Sequence, residues 1–179
     1  MIGALVFVLG LTAGSFLNVV IFRLYGSDSI FISRSKCFNC GKVLSWYELI
    51  PVISFVVQKG RCRSCGFGLS WQYPLVEIST GLFFAYLYFY SGQELSNLYF
   101  LNLYDSGGAA LNFILNVLIF SLLIVIFFYD IRKQIIPDVM VYPLILMGFI
   151  LQARRYYLGL GITENIIFAF AIAISFFLL

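Results

Sequence analysis

Apolar residues along this chain gather in long runs with few or no charges, separated by short polar stretches, and run length indicates what each is. The first, Met1 to Phe22, is uncharged and ends at Arg23. A second extends from about Pro74 to Tyr90 with one acid, Glu77, near its start, and a third covers Leu111 to Tyr129 without a charge. A fourth, Val139 to about Ala153, is shorter, and a fifth, Ile166 to Leu179, ends with the sequence. Crossing a hydrocarbon core as a helix takes ~20 mostly apolar residues, so the pattern predicts an all-α polytopic membrane protein of about five transmembrane helices. The opening run lacks the basic flank and small-residue cleavage site of a signal peptide, and it reads as a helix that stays. Fourteen residues rise only ~21 Å as a helix, so the last span looks incomplete.

Composition agrees: 62% of residues are apolar and 11% charged, outside the range of an ordinary soluble domain. Charge sets orientation. Tyr25 to Gln72 holds Arg34, Lys36, Lys42, Lys59, Arg61 and Arg63 against Asp28 and Glu48, whereas Ser91 to Ala110 holds only Glu94 and Asp105. Basic residues in short loops stay in the cytoplasm, so the first loop is expected there and the N-terminus outside, with Arg154 and Arg155 as a mild violation. Three regions follow: a first helix over 1–24, a cytoplasmic loop over 25–72, and a helical membrane region over 73–179. The net charge of +3 comes from that loop and gives no reason to expect a nucleic-acid partner.

The same loop holds every cysteine, as Cys37 and Cys40 in "CFNC" and Cys62 and Cys65 in "CRSC". Two residues between cysteines let both thiolates of a tight turn reach one ion, and two such turns complete a tetrahedral sulfur shell that suits Zn²⁺. Gly41 and Gly66 follow the second cysteine of each pair and supply the backbone freedom the turns need. Two disulfides are the alternative; a reduced cytoplasmic loop favours zinc. Four thiolates leave no open position, which makes the expected metal structural. Between the pairs lies "LSWYELIPVISFVVQKG", too short to build its own core, and a metal cross-link would hold its shape.

Among the carboxylates, Asp130 closes the third apolar run. It is either an interfacial stop, pairing with Arg132 or Lys133, or half of an acid–base pair. Asp138 follows Pro137 and opens an apolar run, where an acid caps free N–H groups at the positive end of a helix dipole. Glu77 has the same helix-start reading, and is also a possible second carboxylate.

In order along the chain, "GSFLNVVIFRL" at Gly14 to Leu24, the cysteine pairs with "LIPVISF" between them, "GRCRSCG", "YPLVE" at Tyr73 to Glu77 and "DIRKQIIPD" at Asp130 to Asp138 resemble the prepilin leader peptidases of type IV pilus and type II secretion systems. The resemblance implies an aspartic protease of the bacterial inner membrane that cuts the basic leader from prepilin or pseudopilin precursors at the cytoplasmic face, and that in many members N-methylates the new terminus with S-adenosylmethionine. It also implies that Asp130 is the first of two catalytic aspartates. The second belongs to a Gly-x-Gly-Asp motif that these residues do not contain, so the chain is expected to be a truncated member, inactive in proteolysis by itself. Besides membrane lipid, the partners implied are the precursor peptides. Three functions stay open: a peptidase completed by a second aspartate, a member that binds leaders or transfers methyl groups without cleaving, and a zinc-knuckle membrane scaffold. No glycine-rich fingerprint for S-adenosylmethionine is present.

Overall fold

The computed structural model describes residues 2–24, 26, 29, 30, 32–100 and 106–157. The first apolar run forms α1 (Ile2–Arg23), and a short α2 (Ile53–Val57) lies in the loop. Three long helices follow: α3 (Gln72–Phe100), α4 (Ser106–Lys133) and α5 (Asp138–Tyr157).

Two stretches, Ile2–Arg23 and Leu111–Lys133, are helical, long and apolar enough to cross a membrane, and Asp138–Ala153 is a shorter apolar helix. The second helix runs past its expected end near Tyr90 to Phe100, and α4 begins at Ser106, five residues before Leu111. Most of the stretch expected as a loop, Ser91 to Ala110, is thus helical. It holds no proline, so nothing removes a helical N–H, and tolerated polar residues extend both helices beyond the apolar runs. The expected helix over Ile166 to Leu179 lies outside the described residues.

α1 and α3 pack antiparallel at close range. A Cβ on Gly10 would stand 2.7 Å from the Gly81 Cα, and one on Gly14 would stand 2.7 Å from the Glu77 Cα. Further along, the Asn18 side-chain amide donates to the Tyr73 carbonyl at 3.1 Å. Gly10 and Gly14 are four apart on one face of α1, the small-residue spacing that lets two apolar helices bring their backbones together. The register places Glu77 level with Gly14 and Tyr73 level with Asn18.

α4 closes the bundle. Ile124, Val125 and Tyr129 join Leu17, Val20, Ile21 and Leu24 of the first segment and Val76 of α3 in one buried cluster, against which Met140 of α5 packs. Phe83 of α3 stacks on Phe120 of α4. α4 stops at Gln134, whose φ of 55° is left-handed and whose N–H still donates to the Asp130 carbonyl. This topology brings the end of α1 and the starts of α3 and α5 to the end of the bundle where α4 stops, and the cysteine loop lies there too.

Candidate functional site

Each cysteine pair sits in a turn with the same hydrogen-bond plan. The Gly41 N–H donates to the Cys37 carbonyl at 3.0 Å and the Gly66 N–H to that of Cys62 at 2.9 Å, while the Cys37 and Cys62 N–H groups donate to Lys42 and Phe67. Both glycines have φ of +70°, a left-handed conformation that a side chain would strain. The two turns face each other, and all four sulfurs lie within 4.8 Å of one another. The cysteines are free, and Cys37 Sγ stands 3.8 Å from Cys65 Sγ. Bonds of ~2.3 Å from a tetrahedral zinc would put sulfurs ~3.8 Å apart, so spacing and donor set fit a metal ion of that kind. Backbone N–H groups of Cys40 and Asn39 lower the Cys37 thiol, and the Phe67 N–H with the Asn39 side chain pulls Cys65 down to about 6. Cys40 is pushed the other way, up to about 11, by burial and by the neighbouring thiols, so Cys37 and Cys65 are the members of the cluster that favour the thiolate, the form that binds a cation.

Behind the turns, Glu48 ties the connecting segment together. Its Oε2 accepts the Ser45 N–H at 2.9 Å and its Oε1 meets the Lys42 ammonium at 3.3 Å. The Ser45 N–H and the Lys42 charge hold its carboxyl below the usual range. At the other side, the Arg23 guanidinium donates to the carbonyls of Ser29, Ser33 and Arg34, fixing the chain as it leaves α1.

Between this loop and the helix ends lies a cavity of about 750 Å³, bordered by Asn18 and Phe22 of α1, Tyr73 and Glu77 of α3, Phe55 of α2 and Arg132 of α4. Phe22 and Tyr73 stack with centroids 5.0 Å apart. Asn18 is 2% exposed and its Oδ1 has no partner among the described residues, an acceptor left for something that enters. Glu77 is 6% exposed and accepts the Val52 N–H at 2.7 Å. Val52 has φ 61° and ψ −50°, and the Ile53 N–H donates to the Pro51 carbonyl at 2.6 Å. That is a γ-turn of the rare positive-φ kind, strained for a β-branched residue, and Glu77 holds it.

Asp130 is exposed on the last turn of α4, directly after buried Tyr129. Its carboxylate makes no ion pair or hydrogen bond among the described residues, and Arg132 instead crosses to α1, 4.1 Å above the Phe22 ring. Asp138, also exposed, opens α5, where the Met140 N–H donates to the Pro137 carbonyl. Among the described residues no hydrogen bond joins any two of Glu77, Asp130 and Asp138. The four cysteines come together; the three acids share one end of the bundle without meeting.

Residues 8–91, which contain most of α1, the cysteine loop and the first part of α3, match the family described as Bacterial Peptidase A24 N-terminal domain. The chain is 37% identical over 146 residues to a prepilin leader peptidase/N-methyltransferase of Myxococcus xanthus, covering 81% of this chain and 38% of that protein. It is 30% identical over 175 residues to the protein of that name in Vibrio cholerae, covering 92% of this chain and 61% of the relative. A third, from Stutzerimonas stutzeri, is 30% identical over 169 residues, covering 82% of this chain and 53% of its own length. Over most of its length the chain is similar to the prepilin leader peptidases. It spans about two fifths to three fifths of the length of these family members. No solved structure matches it significantly.

Sequence reasoning missed Asn18 and Val52. Asn18 is the one amide in an apolar run whose other polar side chains are the small hydroxyls of Thr12 and Ser15, which was the available signal. Val52 carried none, because a positive φ at valine is imposed by contacts from α3.

Proposed function

We propose that the chain supplies Asp130 as one carboxylate of the catalytic pair in a membrane aspartic endopeptidase that removes the basic leader of prepilin-type precursors. The observation that carries this is the placement of Asp130: exposed, without an ion-pair partner among the described residues, at the end of an apolar helix and on the bundle end that bears the cavity and cysteine turns. A precursor with a basic leader and an apolar following segment would lie along such a helix with its junction near Asp130. Two nearby carboxylates share one proton; the ionised member takes a proton from water while the other stabilises the developing oxyanion. Glu77 is a poor second member, because it already accepts the Val52 N–H. The second aspartate of the family pattern, Gly-x-Gly-Asp, is not among these 179 residues.

The accompanying architecture is a five-span bundle in the bacterial inner membrane, N-terminus outside and cysteine loop in the cytoplasm. Cys37, Cys40, Cys62 and Cys65 would hold one zinc that cross-links the loop without taking part in proteolysis. The relatives' name also includes N-methyltransferase. The cavity has the volume of a small-molecule site and an unpartnered acceptor in Asn18 Oδ1, and it is where S-adenosylmethionine would be held to supply a methyl group.

A second reading, favoured by the single matching aspartate, is a member that binds leaders without cutting them, or a knuckle scaffold. Cleavage of a precursor peptide by protein in liposomes separates the two. The 179-residue chain is expected not to cleave, and the same chain extended with a relative's Gly-x-Gly-Asp segment is expected to cleave. Asp130→Asn in the extended chain should then lower the rate about 10²–10³-fold or more. Cleavage by the unextended chain, or an extended Asp130→Asn variant at full rate, would refute the assignment.

A further inference from the structure

α2 is built inside out for a helix in water. Its Ser54 and Gln58 side face the cavity, and Phe55 is buried against Trp71, whereas Ile53, Val56 and Val57 are 61%, 66% and 61% exposed. Polar groups toward the protein and aliphatic ones outward is the arrangement of a segment surrounded by lipid.

Depth along the bundle points the same way. Glu77 lies level with Gly14, nine residues before Arg23, or ~13 Å along α1 at 1.5 Å per residue. Side chains of α3 lean toward its N-terminus, so the Glu77 carboxylate rises a few ångströms toward the knuckle, which leaves the Val52 N–H on the order of 8 Å below the level of Arg23. The segment entering α2 is therefore sunk beside the uncharged part of α1 rather than standing above it. Backbone at that depth must satisfy its own donors, and four N–H groups at and after the turn do so within the protein. The Val52 N–H goes to Glu77, and those of Ile53, Ser54 and Val56 go to the carbonyls of Pro51, Ile50 and Val52. Pro51 has none to satisfy. The segment then climbs out through Lys59, Arg61 and Arg63, whose long side chains reach the headgroup level.

We propose that Leu49 to Val57 is a shallow re-entrant segment of the membrane, with Ile53, Val56 and Val57 seated among phospholipid acyl chains and Glu77 pinning its strained turn from inside the bundle. The proposal rests on the reading of α1 as a membrane span. It alters the picture of the loop as a free cytoplasmic module: the cysteine turns are tethered to the bilayer surface, and one wall of the cavity is a lipid-facing hairpin.

Tryptophan quenching tests it, because the chain has only two tryptophans, Trp46 and Trp71, and both can be replaced by phenylalanine. Into that background go, one at a time, Val56→Trp as probe, Leu9→Trp on the exposed face of α1 as span control, and Ile32→Trp, at an 87% exposed site, as water control. Each full chain is reconstituted in phosphatidylcholine–phosphatidylglycerol vesicles with or without lipid brominated near the top of the acyl chain, and is also titrated with iodide. Val56→Trp should lose emission to the brominated lipid as Leu9→Trp does and resist iodide, unlike Ile32→Trp. Val56→Trp behaving like Ile32→Trp while Leu9→Trp is quenched by bromine overturns the re-entrant segment and leaves the span standing. Both escaping bromine overturns the span and the segment together. Protection of Val56→Trp from both quenchers assigns the face to a protein occupant and overturns the lipid. Ile53→Trp, on the same face, replaces the probe if Val56→Trp loses the helical circular dichroism of the parent.

Discussion

Replacing Gly14 by alanine tests the contact on which the bundle end depends. The added Cβ would stand 2.7 Å from the Glu77 Cα, 3.0 Å from the Val76 carbonyl oxygen and 3.1 Å from the Thr80 Cβ. Carbon atoms rest at about 3.5–4.0 Å, and two of the three neighbours are backbone, so no rotamer change relieves the clash and the helices must part by about 1 Å. Parting them also loosens Gly10 against Gly81 and thins dispersion contacts along the whole seam. Overpacking of this kind costs about 1–3 kcal/mol, which is roughly a 5- to 150-fold shift in an unfolding equilibrium. Gly148 on α5, where an added Cβ meets nothing within 4 Å, is the matched control; Gly148→Ala should be neutral or stabilising, by up to about 1 kcal/mol. Reversible unfolding in mixed micelles, followed by circular dichroism, measures both. Parental stability for Gly14→Ala, or an equal loss in Gly148→Ala, would refute the close α1–α3 seam and the register that sets Glu77 beside Val52.

Three further outcomes are expected. Purified chain should carry about one zinc by elemental analysis, and Cys37→Ser or Cys65→Ser should lose it; metal-free protein with four readily alkylated thiols would contradict this. Glu48, held below its ordinary value, should stabilise the loop fully above about pH 4.3 and lose that contribution as pH falls through its depressed folded value. Glu48→Gln should flatten this acid-side dependence in a pH series of loop proteolysis, and an unchanged profile would count against it. In intact cells an impermeant maleimide should not label Ile32→Cys until the membrane is opened; labelling from outside would invert the orientation and place Asp130 on the wrong face for a leader peptide.

The elements that were legible in the sequence are those written in short spacings. The cysteine turns need only two residues between ligands and a glycine after the second, and both turns form as their spacing requires. Helices α1, α4 and α5 follow from uncharged run length, while the reach of α3 to Phe100 was missed because a polar tail can stay helical when no proline stops it. Asp130 at the end of an apolar run was visible; that Arg132 turns away from it toward Phe22 was not.

Run length and ligand spacing are local properties, so the sequence by itself determined that this chain is helical, that its first and third apolar runs reach membrane length, that four cysteines can hold one ion, and which family its motifs resemble. Tertiary structure alone decided which faces meet. Helices apolar on nearly every side carry no stripe that marks the contact face, so the choice falls to small residues, and Gly10, Gly14 and Gly81 set the α1–α3 register. That register lowers Glu77 into the bundle, brings the Val52 turn down onto it and opens the cavity under the cysteine turns, none of which a residue 25 positions away in sequence could announce.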